Sequence, residues 1–258
     1  MTHVIGILGA ADRHGLTAEM LQAVLDAAGH QGCTVETIFL ADEDLRLTDF
    51  RKANPAIAQL SHKLHEADCL VLASPTYWGS ISGMMKNFLD CMHHELVSFT
   101  KKGERRPAGL RGRSYILVTS CFTPTFENCI TGATDRTFQA MDVPLAAAGM
   151  HRIGEAVCTG TWGMTELPDS KKADCEKLGQ RIPEKLKQGG FLLKRYIELF
   201  FMLALTVLIV MGIQQGLSAL HFLNLSNFWI NYAIFVLLAY LLLASILHYV
   251  AMRMHKRH

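Results

Sequence analysis

Short apolar runs and helical segments alternate five times along residues 1–190, and that alternation constrains the chain more than any other feature. Val4, Ile5, Ile7 and Leu8 make the first run. Residues 34–40 alternate as a second strand, Leu70, Val71, Leu72 and Ala73 make a third, 114–120 a fourth, and Ile153 and Val157 belong to a fifth. Short runs of this kind suit strands buried on both faces, as in a parallel sheet. The first helical segment puts Met20, Leu21, Val24, Leu25 and Ala28 on one side, with Gly29 and Gly32 predicted to end it. Pro55 suits the first turn of a helix running to Glu66, Ser82 suits the cap of a helix from Gly83, and 131–149 and 169–188 read as two more. The pattern predicts an α/β fold, a doubly wound five-stranded parallel sheet with helices on both faces.

Open sheets of this kind bind ligands beyond the carboxyl ends of their strands. Two loops there carry informative residues. The first runs from Gly9 through Ala10, Ala11, Asp12, Arg13, His14 and Gly15 to Leu16 and Thr17, between the first strand and first helix. Backbone N–H groups and the positive helix end in such a loop suit an anion. No Gly-Lys-Ser/Thr follows, so it is not a Walker loop. The second loop is Ser74, Pro75, Thr76, Tyr77, Trp78, Gly79. Its aromatics offer flat faces to a flat ligand, and Gly79 permits close backbone approach. The alternative for both is a plain strand–helix turn, with the aromatics packed on the core.

The stretch SPTYWGSISGMMKNFLD resembles the flavin-ring loop and following helix of the flavodoxin-like NAD(P)H-dependent FMN reductases and the related multimeric flavodoxin-type quinone reductases. Pro75, Tyr77, Trp78, Gly79, Ser82, Lys86 and Asp90 carry the likeness, and Leu110, Arg111, Gly112 and Arg113 extend it. The resemblance implies a flavodoxin-like fold over about 2–188, bound FMN, and NAD(P)H as co-substrate. It implies that Gly9, Arg13, Gly15, Leu16 and Thr17 hold the FMN phosphate, although Ala10 and Ala11 stand where the family often has a hydroxyl. It implies that Pro75, Thr76, Tyr77, Trp78 and Gly79 lie along the ring. Ser120 and Cys121 would cover the other flavin edge, where Cys121 and Phe122 replace the family's usual glycines. Relatives often form dimers or tetramers, so a homo-oligomer is an expectation from the resemblance alone. No side chain is identified as a catalytic acid or base.

The formal charge of +2 gives no argument for a nucleic-acid partner. Seven scattered cysteines without a C-x-x-C pair match neither a disulfide framework nor a zinc spacing, and suit a reducing compartment. Adjacent His93 and His94 point to different helix faces, so no metal is expected there. The basic loop of Lys101, Lys102, Arg105 and Arg106 reads as a solvated loop, with the NADPH phosphate or an anionic membrane surface as sharper alternatives.

After Gly190 the composition changes. Residues 196–217 and 228–249 are almost wholly apolar, each about 22 residues and long enough for a bilayer core of about 30 Å. With Lys194 and Arg195 before and Arg253, Lys256 and Arg257 after, they predict a two-helix transmembrane hairpin with both ends cytoplasmic and lipid as a partner. The domains expected are therefore 1–190, an FMN-binding domain, and 191–258, an anchor with a basic tail.

Together these features predict a membrane-anchored FMN-dependent NAD(P)H oxidoreductase that reduces a quinone, flavin or other small acceptor by two-electron transfer. The alternatives are an electron-transfer module without its own NAD(P)H turnover and a tethered domain that no longer binds FMN.

Overall fold

Val4, Ile5, Ile7 and Leu8 have no solvent exposure, because strands hydrogen-bond on both sides of them and helices cover both faces. The structure is a computed structural model and describes residues 1–46, 54–188, 192–219 and 229–242, with the side chains of 188, 192–200 and 217–219 outside that description. The chain begins with β1 (His3–Leu8), α1 (Leu16–His30), β2 (Thr34–Phe39), α2 (Pro55–Glu66) and β3 (Cys69–Ala73). A small hairpin follows, β4 (Thr76–Tyr77) and β5 (Ser80–Ile81), then α3 (Gly83–Cys91) and α4 (His93–Leu96). A second hairpin, β6 (Val97–Phe99) and β7 (Arg105–Pro107), leads to β8 (Ser114–Ser120). The remaining elements are α5 (Thr125–Thr131), α6 (Ala133–Ala147), β9 (His151–Cys158), α7 (Asp169–Gln188) and α8 (Leu192–Ala219).

Five strands form one parallel sheet in the order β2-β1-β3-β8-β9, as the apolar runs predict. The order reverses at β1 and β3, so the crevice between their carboxyl ends is the topological switch point. Successive side chains alternate between the two faces. Ile5, Ile7, Leu70, Leu72, Tyr115 and Leu117 pack one core with Leu60, Met85, Phe88 and Met141. Val4, Leu8, Val71, Ala73, Ile116 and Val118 pack the other with Met20, Leu21, Val24 and Ile182.

Several boundaries differ from the sequence expectation. Gly29 lies inside α1, which runs to His30; Gly32 just beyond it, at φ +80°, lets Cys33 and Gly32 donate to the carbonyls of Ala28 and Gly29. The helix expected over 131–149 is α6, which begins after Gly132 at φ +62°; the short helix α5 before it is an addition to the sequence expectation. The two hairpins were not expected, and the basic loop forms the second of them. Residues 47–53, between β2 and α2, lie outside the described residues.

The chain divides into two compact units, Met1–Gly190 and Phe191–His258. In the second, Gln214 of α8 donates to the backbone oxygen of Asn231 at 3.0 Å and its Oδ1 at 3.3 Å. The expected transmembrane hairpin, its cytoplasmic-facing membrane localisation and its lipid contact are corrected here. Among the described residues no helix is long and apolar enough to cross a membrane. The rest of the expected second span, and the basic tail with Arg253, Lys256 and Arg257, lie outside the described residues.

Candidate functional site at the carboxyl ends of the central strands

The two loops singled out in the sequence meet. Gly9 N–H continues the ladder by donating to the Ala73 carbonyl at 2.8 Å. Ser82 caps α3, accepting from Met85 N–H at 3.1 Å, and its hydroxyl donates to the Gly9 carbonyl. A Cβ on Gly9 would lie 2.8 Å from Met85 Cβ, so only glycine lets the first loop pass this close to α3.

Beyond Gly9 the chain turns into α1. Asp12 accepts from His14 N–H at 2.8 Å, which sets the turn. Gly15 is the N-cap in an extended conformation, and no side chain caps the helix. The amides of Leu16 and Thr17 therefore begin a helix end whose positive dipole has no side-chain acceptor. Thr17 is buried and its hydroxyl meets that of Ser120 at 2.6 Å, joining α1 to the end of β8. Arg13 turns toward β2 instead: it pairs with Asp42 and its guanidinium lies 4.7 Å from the Phe39 ring centroid. A phosphate on this loop would share Arg13 with Asp42.

The second loop is a tight hairpin. Thr76 pairs with Ile81 and Tyr77 with Ser80, leaving Trp78 and Gly79 as the two turn residues, at φ +55° and +71°. Two successive positive φ values define the turn that matches strand twist in a two-residue hairpin. Trp78 is the only non-glycine residue at positive φ among the described residues, a strained position for a bulky side chain. Its side chain is fully exposed and Tyr77 is half exposed. The alternative in which these aromatics pack on the core is thereby overturned.

Hydroxyls hold this hairpin. Thr76 Oγ1 lies 2.9 Å from Thr119 Oγ1 and donates to Thr137 Oγ1 at 3.0 Å; Thr119 donates to the Ser74 carbonyl at 2.7 Å; Ser82 N–H donates to Ser74 Oγ at 3.0 Å. Pro75 and Thr76 are buried in this network, while Tyr77, Trp78, Gly79 and Ser80 face outward. Thr119 and Thr137 were missed in the sequence because threonine in a strand or helix carries no local sign of its distant partners.

Cys121 extends β8. Its N–H donates to the Cys158 carbonyl at 2.8 Å and its carbonyl accepts from Thr161 N–H at 3.2 Å. The side chain is buried, so Ser120 and Cys121 form a floor and present no open thiol. Burial also raises the Cys158 thiol above its ordinary pKa. Phe122 and Trp162 stand exposed on the loops after β8 and β9, and Phe126 stands exposed in the first turn of α5. The loops are tied by Gly160 N–H to the Thr123 carbonyl at 2.8 Å and by Thr125 to Thr159 at 2.7 Å. These aromatics extend the rim begun by Tyr77 and Trp78. The signal for Trp162 was its place between Gly160 and Gly163, directly after a buried strand.

Among the described residues no group of three His, Cys, Asp or Glu could hold a metal. Glu95, next to His93 and His94, bonds His65 Nε2 at 2.9 Å, and the His93 ring stacks on Phe99.

An uncapped helix end and an exposed aromatic turn at the switch point of a β2-β1-β3-β8-β9 sheet define a flavodoxin-like α/β protein. Residues 2–120 match the family described as NADPH-dependent FMN reductase. The chain is similar to the FMN-dependent NADPH-azoreductase of Staphylococcus aureus strain USA300, with 30% identity over 121 residues, 44% of this chain and 61% of the relative. The chain thus spans about three-fifths of the length of the curated relatives it matches. Among solved structures it resembles the FMN-dependent NADH-azoreductase from Bacillus anthracis str. Ames Ancestor in complex with FMN, at a TM-score of 0.54 and 14% identity, covering 70% of this chain and 97% of that one. It also resembles the NAD(P)H:quinone oxidoreductase from Methanothermobacter marburgensis, at 0.56 and 14%, covering 70% and 95%.

Proposed function

We infer that the chain is an FMN-dependent NAD(P)H oxidoreductase that reduces a quinone, an azo compound, a flavin or another small acceptor. The observation that carries this reading is the pairing of two features across one crevice. The side-chain-uncapped start of α1 and the outward Tyr77-Trp78-Gly79 turn sit on neighbouring strand ends, tied together by the Ser82–Gly9 bond. A helix N-terminus suits a phosphate, and an exposed aromatic edge suits a flat ring. The match to the NADPH-dependent FMN reductase family over 2–120, which includes both loops, supports the same cofactor.

In this reading Gly15, Leu16 and Thr17 hold the FMN phosphate through backbone amides, Gly9, whose N–H is spent on the Ala73 carbonyl, lets the loop pass close to α3, and Arg13 supplies positive charge that Asp42 moderates. Pro75, Thr76, Tyr77, Trp78 and Gly79 line one edge of the ring, and Ser120 and Cys121 form the floor beneath. FMN, when bound, supplies the two-electron chemistry. The protein's own part is placement. The threonine network fixes the hairpin, Gly79 leaves open space for backbone approach, and Trp78 covers the face on which nicotinamide or acceptor would stack.

The test is the visible spectrum of the purified full chain, then anaerobic addition of NADPH and of NADH. The expected result is a flavin spectrum that bleaches. A flavin that stays oxidised would leave an electron carrier without nicotinamide turnover, and no flavin after reconstitution with FMN would overturn the reading.

A further inference from the structure

We propose that Trp162 selects for a flat aromatic electron acceptor, and that Glu19 of α1 is its positioning residue, latching the β9–α7 loop that carries it. The inference rests on the reductase reading above and assigns a second wall to the same crevice. The first wall is the Tyr77-Trp78-Gly79 turn beyond β3. The second stands beyond β9, and the Ser120–Cys121 floor at the end of β8 lies between them.

The loop from Thr159 to Pro168 is held at both ends and turned in the middle. Beside β9, Thr161 N–H donates to the Cys121 carbonyl at 3.2 Å and Gly160 N–H to the Thr123 carbonyl at 2.8 Å, so the loop starts along the floor. Met164 N–H then donates to the Thr161 carbonyl at 3.1 Å, closing a turn whose third residue is Gly163 at φ +75°. This is the form of a type II turn, and Trp162 occupies its second position. At the far end Leu167 N–H donates to Glu19 Oε2 at 2.8 Å, across 148 positions of chain, and Leu167 packs against the core.

Glu19 lies where its charge has a cost. It is in the first turn of α1, with its own N–H on the Gly15 carbonyl at 3.0 Å, in the same turn as the Leu16 and Thr17 amides proposed for the FMN phosphate. A carboxylate there repels a phosphate. In return it makes a charge-assisted bond to a backbone N–H, stronger than a neutral one. That bond fixes where the loop crosses α1, and so where the Trp162 turn stands beside the floor.

Packing does not account for Trp162, which is 86% exposed. Like Trp78, it directly precedes a glycine at positive φ. Strands β3 and β9 lie two strand spacings apart, about 10 Å, so the two tryptophan turns rise on either side of a gap of that order. Exposed Phe122 follows the floor between them. A flat ring in this gap meets aromatic surface, and an acceptor without a ring gains nothing from it. A quinone bound there takes a hydride equivalent that originates in NAD(P)H and one proton from solvent, and leaves as the hydroquinone.

The experiment compares kcat/KM for menadione, a two-ring quinone, with that for ferricyanide, which has no ring to stack. It uses full chains of the wild type, Trp162→Ala, Glu19→Ala and Glu19→Gln. Calorimetric binding of menadione to the oxidised proteins is measured alongside. So is the time-resolved fluorescence anisotropy of Trp162 in a Trp78→Phe/Trp229→Phe background. Trp162→Ala should lower the menadione/ferricyanide ratio about tenfold and weaken menadione binding to match. Glu19→Ala should lower the ratio about threefold and speed the nanosecond motion of Trp162, and Glu19→Gln, which keeps the accepting oxygen, should restore both. A ratio unmoved by Trp162→Ala would overturn the proposal. A Glu19→Gln variant that behaves like Glu19→Ala would assign the effect to charge and overturn the latch. Lost stability in Glu19→Ala with ratio and anisotropy unchanged would overturn it as well. A chain without flavin or nicotinamide oxidation that still binds menadione through Trp162, with anisotropy that depends on Glu19, would sink the reductase reading alone.

Discussion

Thr17 and Ser120, 103 positions apart in the chain, share a buried hydrogen bond of 2.6 Å that ties the start of α1 to the end of β8 beneath the proposed cofactor crevice. Both residues are buried, so each hydroxyl relies on the other as its partner. Thr17→Val keeps the shape and strands the Ser120 hydroxyl, and should destabilise the fold by about 1–3 kcal/mol. The Thr17→Val/Ser120→Ala double variant should cost clearly less than the sum of the two single changes. Urea unfolding of the four proteins checks this, and strict additivity would mean that the two hydroxyls are not coupled.

Trp78 holds a conformation that costs a bulky residue of the order of 1 kcal/mol or more. Asn-Gly is the favoured pair for this turn. Trp78→Asn should therefore raise stability by about 1 kcal/mol while lowering kcat/KM for nicotinamide oxidation about tenfold. A more stable protein with unchanged kinetics would remove Trp78 from the site; a less stable one would show that the turn is not strained.

Gly179 of α7 lies against α1 so closely that a Cβ would come 2.1 Å from the Val24 carbonyl oxygen and 3.0 Å from Ala28 N. These are backbone atoms and cannot swing aside. Gly179→Ala must push the helices apart, and a loss of about 3 kcal/mol is expected despite the gain in helix propensity. Thermal and denaturant unfolding read this directly. A neutral result would mean that the α1–α7 contact is looser than described.

Alkaline pH should weaken the fold. Burial pushes the Cys175 thiol up to about 12, with nearby Asp174 and Cys158 adding to it, and burial likewise raises Cys69. Above the ordinary value of 9.0 the unfolded chain releases protons that the folded chain keeps, so stability is intact below that pH and falls as pH rises toward 12. Each such thiol contributes a slope of about 1.4 kcal/mol per pH unit across its window. Tyr115 shifts the same way, through burial and its 2.6 Å bond to Asp142. Unfolding free energies measured between pH 8 and 11 should show the decline, and Cys175→Ala should make it shallower; an unaltered slope in that variant would assign the decline elsewhere.

Much of the flavodoxin-like half was legible because its information is local. Leu70, Val71, Leu72 and Ala73 form a run that only a strand covered on both faces accommodates, and Ser82 capped α3 where the sequence placed it. The loops that carry Gly9, Gly15, Tyr77, Trp78 and Gly79 could be placed at strand ends because such loops have compositional marks. Other features depended on residues far apart in the chain. Arg13 reads in the sequence as a phosphate ligand, and only folding brings Asp42 and Phe39 beside it to compete for its charge. Thr76, Thr119 and Thr137 become one network only when three elements pack. Hydropathy predicted two membrane spans after Gly190, but it reports only how apolar a segment is. Among the described residues no helix is both long and apolar enough to cross a membrane.

By itself the sequence determined the strands, the helices and their parallel arrangement, because periodicity and chain connectivity act over a few residues. Only the tertiary structure decided which polar groups stand free. Arg105 reaches an open groove opposite Arg136, while Arg113, in the same basic stretch, is consumed by the carbonyls of His65 and Ala67. A charge acts through whatever lies within a few ångströms of it, and that neighbourhood exists only after folding.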